Sequence, residues 1–225
     1  MAGSNNVKDI IVKVIPPKIA NEFVKKHHYS GKVVPNSQLH FGCFLNGVLH
    51  GVMSYGPSIN KKGTINLVKN TKWHEFIELN RMAFDDYLPR NSESRCIAIS
   101  IRLIKKNAPH IKRIISFADG TQCGDGTIYR ASGFKLVGIA ENTSLRINPK
   151  TGEKIHVIQA FHLKCQKEFY TWQPIKGYQL KYVYLIDKNC ELNVPVLDFN
   201  TIDKIGAGMY KGEKVTRAKR HASIV

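Results

Sequence analysis

Alternation of apolar and polar residues predicts a strand-rich chain organised around FIELNRMAFDDYLPRNSESR, which runs from Phe76 to Arg95. Ile77, Leu79, Arg81 and Ala83 fall on one side of this period-two pattern, and Phe76, Glu78, Asn80 and Met82 on the other. A strand with that pattern carries polar groups into a sheet that is otherwise buried. Pro89 then breaks the backbone, and Asn91, Ser92 and Ser94 offer capping side chains to a helix. Its apolar positions Ile97, Ala98, Ile101 and Ile104 recur with helical spacing. A helix start presents unpaired amide hydrogens and the positive end of a dipole, so an anion or a carbonyl oxygen is favoured there.

The same reading extends along the chain. A first strand over 10–15 stops at Pro16 and Pro17, and a helix over 20–28 leads into the polar loop HHYSGK, residues 27–32. Asn46-Gly47 separates two apolar alternations, 39–45 and 48–55, and so predicts a β-hairpin. A short strand is expected over 64–68, framed by Lys61, Lys62, Lys69 and Lys72. The central helix should end at 105–108, ahead of Pro109. A buried strand over 114–118 follows and ends in Asp119, beside the glycine-rich loop 120–126. One or two helical turns over 127–132 stop at Gly133, strands are expected over 134–140 and 155–163, and an aromatic stretch fills 169–187. These elements predict an α+β fold, a mixed and mostly antiparallel twisted sheet flanked by helices. One domain is expected over 1–190, with a basic extension over 191–225.

Charge changes the picture. The chain has 34 Lys and Arg against 17 Asp and Glu, a net +17, which calls for a polyanionic partner. Nucleic acid is favoured over membrane, because no apolar run reaches the length of a spanning helix. Candidate contacts to the DNA backbone are Lys32, Lys61, Lys62 and the tail residues Arg217, Lys219 and Arg220, with a further positive run of Arg102, Lys105, Lys106, Lys112 and Arg113. A solvated face explains the lysines around 61–72 equally well. Five scattered cysteines, none in a C-x-x-C pair, and a polar N-terminus without a signal-peptide pattern suit reduced thiols in cytoplasm.

At YRASGF, residues 129–134, the chain resembles the final helix of GNAT acyltransferases, in which a tyrosine commonly protonates the departing thiolate. Together with HHYSGK, ELNRMAF, LPRNSESR and SFADGTQCGDGTIYRASGF in that order, the sequence closely resembles the Mom family of Mu-like bacteriophages over roughly 21–211. The resemblance implies an enzyme that places a carbamoylmethyl group on the exocyclic amine of adenine in double-stranded phage DNA, inside the host cytoplasm, and so blocks host restriction. It also implies that Tyr29, Arg81, Ser94, Asp119 and Tyr129 are needed. Asp119 then suits a hydrogen-bond acceptor or base, Tyr129 an acid and Arg81 a clamp for phosphate or carboxylate, while Ser94 would orient the donor.

Ser92, Ser94 and Arg95 are candidates for holding that donor, whose identity the sequence leaves open: an acyl-coenzyme A, a glycine derivative such as an aminoacyl-tRNA, or another activated group. PRNSESR lacks the glycines with which most GNAT enzymes grip a pyrophosphate. Iron is linked with the family, and His28, Glu78 and Asp119 are its candidate ligands here. The tyrosines of 169–187 offer a face for a homodimer. Purely structural roles compete for every one of these residues: an ion pair of Arg81 with Asp85 or Asp86, a cap for Ser94, packing for Tyr129, a turn cap for Asp119. An ordinary GNAT acetyltransferase acting on a small amine or a protein lysine, or a basic DNA-binding protein without catalysis, are the competing functions.

Overall fold

The computed structural model describes residues 6–121, 124–210 and 213–214. In chain order its elements are β1 (Ile11–Val14), α1 (Pro17–His27), β2 (Leu39–Leu45), β3 (Val48–Gly56), α2 (Lys61–Thr64), β4 (Phe76–Phe84), α3 (Ser92–Asn107), β5 (Arg113–Asp119), α4 (Thr127–Ala131) and β6 (Lys135–Asn142). There follow β7 (Leu145–Ile147), β8 (Lys154–His156), α5 (Val157–His162), α6 (Gln166–Phe169), β9 (Gln173–Pro174), β10 (Gly177–Leu185), α7 (Asn200–Lys204), β11 (Met209–Tyr210) and β12 (Glu213–Lys214). A seven-stranded sheet has the order β1-β2-β3-β4-β5-β10-β6. The first four strands pair antiparallel in succession, and β4 pairs with β5 in parallel. The expected mixed, mostly antiparallel α+β fold is therefore the one observed.

The chain forms two compact units, and β5 and β10 contribute to both. The first comprises residues 1–116, 128–135 and 182–195. Its hairpin turns at Asn46 and Gly47 with φ of 52° and 81°, both in the left-handed region that this residue pair tolerates. One face of its sheet is covered by α1, where Ala20 and Val24 bury against Ile15, Val52 and Ala83. The helix α3 buries Cys96, Ile97, Ser100, Ile101 and Ile104, and its Ser100 hydroxyl lies 2.7 Å from the Tyr55 hydroxyl of β3. The second unit comprises 117–127, 136–181 and 196–225. Here β8, β7 and β9 form a small sheet, and Ile155, Ala160 and Phe169 make its core. Gly177 approaches Thr121 so closely that a Cβ there would lie 1.7 Å from the threonine Oγ1.

Several expectations are corrected. Residues 64–68 form no strand: Asn60 caps the short helix α2 and a 3-10 turn follows over Ile65–Leu67. The carbonyls of Thr64 and Ile65 are taken there by the Arg113 guanidinium. Arg113 itself is 0% exposed and stacks over Phe76, and Lys112 pairs with Glu75 at 2.7 Å, so neither reads as the free surface charge expected. Residues 155–163 are strand only to His156 and then become α5, because Ala160 packs on Ile155 and Phe169. Tyr182 is fully buried in β10, while Tyr170 is 63% exposed. Asn91 lies in the left-handed region at φ 69° and makes no side-chain cap. Among the described residues no helix is long and apolar enough to cross a membrane. Arg217, Lys219 and Arg220, and the tail they belong to, lie outside the described residues.

Candidate active site

The loop after α1 and the middle of β4 build one polar cluster in the first unit. α1 is capped at its C-terminus by His28, and Gly31, at φ 61°, turns the chain so that its amide donates to the His28 carbonyl at 2.8 Å. The Ser30 amide donates to His28 Nδ1 at 3.1 Å, and the Ser30 hydroxyl lies 2.8 Å from the same atom. An Nδ1 that accepts from an amide carries no proton, so the imidazole is neutral with its hydrogen on Nε2. Burial, with the nearby Arg81 guanidinium adding to it, lowers the His28 pKa to about 4, in keeping with that tautomer. Tyr29, 63% exposed, lies against the His28 ring with centroids 4.3 Å apart.

Arg81 enters this cluster from β4. Its Nε donates to the Lys32 carbonyl at 3.0 Å and its Nη1 to the Asn80 carbonyl at 2.8 Å, which replaces the ion pair with Asp85 or Asp86 weighed above. Asp85 instead lies 2.9 Å from His50 Nδ1, and the His50 ring stacks on Tyr87 at 4.3 Å. Burial raises the Glu78 carboxyl pKa, against the opposing influence of Ser58 and Arg81. Sequence alternation put Arg81 on the same side as Leu79, yet the buried neighbours in β4 are Leu79 and Asn80. The cause is a register shift between Ser54 and Tyr55 in β3: Ser54 faces Arg81 while Tyr55 faces Leu79, so Asn80 is the extra residue and its side chain is free to reach Ser37.

A second feature of the first unit lies at the start of α3. A cleft of about 620 Å³ is lined there by Lys8, Ser94, Arg95, Arg102, Ser132 and Tyr184, among others. Arg95 Nη2 donates to the Lys8 carbonyl at 3.0 Å, while its Nε is buried without a partner. Ser94 Oγ donates to the Asn91 carbonyl at 3.1 Å. Ser92 departs from the expectation that it lines a donor site: it is buried and its hydroxyl donates to the Pro89 carbonyl.

The remaining candidates are placed as follows. Tyr129, on α4, is 9% exposed and packs between Phe134 and Tyr182, with ring centroids 5.5 and 5.2 Å away. Asp119 belongs to the second unit, where its Oδ1 accepts the Thr121 amide at 2.9 Å, the turn-capping role weighed above. Lys61 and Lys62 are exposed on α2, and Lys61 lies over the Trp73 ring. The structure thus brings His28, Tyr29, Lys32, Glu78 and Arg81 together.

Among the described residues no three His, Cys, Asp or Glu side chains are grouped as a metal site requires. His28 and Glu78 both feel the Arg81 guanidinium, whose charge opposes a cation beside them. The residues named from the sequence do not fit an iron site. Sequence reasoning passed over Ser37, Asn36, Ser58 and the pairing of His50 with Asp85. Their partners are distant in sequence, and only Asp85, inside the organising stretch, carried a local signal.

The chain is similar in fold to solved N-acetyltransferases. One from Staphylococcus aureus Mu50 is 10% identical, with 79% of this chain and 99% of that chain covered and a TM-score of 0.49. The ribosomal-protein-S18-alanine N-acetyltransferase of Escherichia coli is 10% identical, with 80% and 97% covered and a TM-score of 0.47. The model of the Mom protein family matches residues 9–201, and the chain belongs to that family. A relative named methylcarbamoylase mom, from Escherichia phage Mu, is 36% identical over 152 residues, which cover 67% of this chain and 61% of the relative.

Proposed function

We propose that the protein is a DNA-modifying transferase that converts adenine to N6-carbamoylmethyladenine and so shields phage DNA from restriction in the host cytoplasm. The family match over residues 9–201, with a methylcarbamoylase among the relatives, carries this reading. A net charge of +17 suits a DNA substrate, because each phosphate neutralised releases counterions. The exocyclic amine of adenine lies inside the stack and is a poor nucleophile, so the base must be extruded before it reacts. The cluster around Arg81 supplies what that step needs. The neutral His28 imidazole offers its Nε2 hydrogen as a donor, the fixed Arg81 guanidinium holds an anionic group, and the exposed Tyr29 ring offers a stacking surface. The family resemblance also implies Asp119 as an acceptor and Tyr129 as an acid.

The cleft at α3 suits the donor, with Lys8, Arg95 and Arg102 to meet phosphates and Ser94 at its edge. A glycyl group and a carbamoylmethyl group contain the same atoms in different order. Attack of the amine on a glycyl ester or thioester forms an N–C bond, releases the alcohol or thiol with the amine proton, and leaves a product that needs only isomerisation. An acetyl donor would need a nitrogen source and an oxidant besides, so an activated glycine is favoured.

The test is plasmid DNA from cells producing the protein, digested with restriction enzymes sensitive to adenine modification. Protection is expected with the natural sequence and lost with Arg81→Ala. Complete digestion in both contradicts the proposal, and acetylation of a small amine or lysine by the purified protein would favour an ordinary acetyltransferase instead.

A further inference from the structure

We infer that Asn36 and Asn80 read the base, admitting one that offers an amino group beside a ring nitrogen acceptor and rejecting keto bases. This rests on the reading of the Arg81 cluster as the place where adenine reacts. Two polar atoms in this part of the first unit are buried without a hydrogen-bond partner, Asn36 Oδ1 and Asn80 Nδ2, whereas the Ser58 hydroxyl is turned to the Glu78 carboxyl. Asn80 is 8% exposed and Ser58 4%. Orphaned buried polar groups are costly, and one such atom often stands for a missing water, but here an acceptor and a donor are orphaned together.

The carbonyl partner of Asn36 fixes the orientation of its amide, and the Ser37 hydroxyl orients that of Asn80. Asn36 Nδ2 donates to the Pro57 carbonyl at 2.7 Å, and a carbonyl can only accept, so Oδ1 is the atom left over. Asn80 Oδ1 accepts the Ser37 hydroxyl at 2.8 Å, which leaves its NH₂ group. The same bonds hold the two residues near each other, since Asn36 and Ser37 are consecutive and Ser37 is tied to Asn80. The Pro57 that Asn36 grips is followed by Ser58, which borders Glu78. Asn80 lies on β4 immediately before Arg81.

An acceptor beside a donor complements the edge of adenine, where the exocyclic amine donates and the adjoining ring nitrogen accepts. Guanine, hypoxanthine and thymine present a carbonyl oxygen at the first position and, on the pairing edge, a ring N–H at the second. They would face Asn36 Oδ1 with an acceptor and Asn80 Nδ2 with a donor, leaving four groups unpaired in a dry setting. Both atoms are buried under segment 33–37, so a base pairs with them only after that segment opens away from β3 and β4.

The experiment is competition binding of the full-length protein to short single-stranded DNA containing a single adenine, hypoxanthine or unsubstituted purine in an otherwise fixed thymine sequence. Adenine should compete about ten-fold or more better than hypoxanthine, with unsubstituted purine between them. In Asn80→Asp, which keeps the shape and removes the donor, the preference should shrink while binding to the phosphate backbone stays. Equal competition by adenine and hypoxanthine with the natural protein overturns the inference, whether or not the variant folds. Modified adenine in cellular DNA alongside equal competition would remove this assignment and leave the proposed reaction standing.

Discussion

Lowering the pH from 7 to 5 should cost the folded protein about 2 kcal/mol through His28 alone. In the unfolded chain its imidazole takes a proton as the pH falls through its ordinary value of 6.5, whereas burial and Arg81 hold the folded value at about 4. Between those limits the unfolded state binds more protons than the folded one, so stability falls with pH across the window and the loss is complete below about 4. The gap from 6.5 to about 4 corresponds to roughly 3 kcal/mol in all, of which about 2 is lost by pH 5. Urea denaturation of the natural protein and of His28→Gln at pH 7 and pH 5 isolates the effect, because every other ionising group is present in both proteins. The stability difference between the two should change by about 2 kcal/mol in favour of the variant on acidification. A difference that stays constant to within about 0.5 kcal/mol would show that the imidazole is not held neutral by its surroundings.

Further outcomes follow from the packing. Gly177→Ala drives a methyl group into Thr121 Oγ1, which also accepts the Tyr178 amide, and should lower stability by about 2 kcal/mol or more in thermal melting. Glu78 is held above its ordinary pKa by burial, so its folded form favours the proton and loses that advantage as the pH rises through the raised value. Glu78→Gln should therefore melt no lower than the natural protein at pH 7 and lose ground to it at pH 4. Arg113→Ala should cost about 3 kcal/mol or more, and Arg113→Met should restore at least half of that. The loss comes from the stem that fills the space over Phe76, which Met replaces, and from the Thr64 and Ile65 carbonyls that Nη2 no longer reaches, which Met does not.

What could be read from the sequence was what neighbours in the chain decide. Asn46-Gly47 set the hairpin, Pro89 and the spacing of Ile97, Ile101 and Ile104 set α3, and Gly133, at φ 81°, stops α4. The misread segments were decided by distant partners. Residues 64–68 look like a strand locally, but the Arg113 side chain, 49 positions from Thr64, takes the carbonyls there. Residues 157–162 contain Val157 and Ile158, which favour strand, yet Ala160 packs as part of a helix in the second unit. At the site, the motifs pointed to His28, Tyr29, Glu78 and Arg81. They did not reveal the register shift at Ser54 and Tyr55, which turns Asn80 inward, nor the reach of Ser37 across 43 positions to meet it.

The most direct measurement of the central claim is the mass of the nucleosides in DNA from cells producing the protein. Deoxyadenosine heavier by one glycine residue is the expected result with the natural sequence, and its disappearance with Arg81→Ala. Deoxyadenosine of unchanged mass in DNA exposed to the folded natural protein contradicts the account.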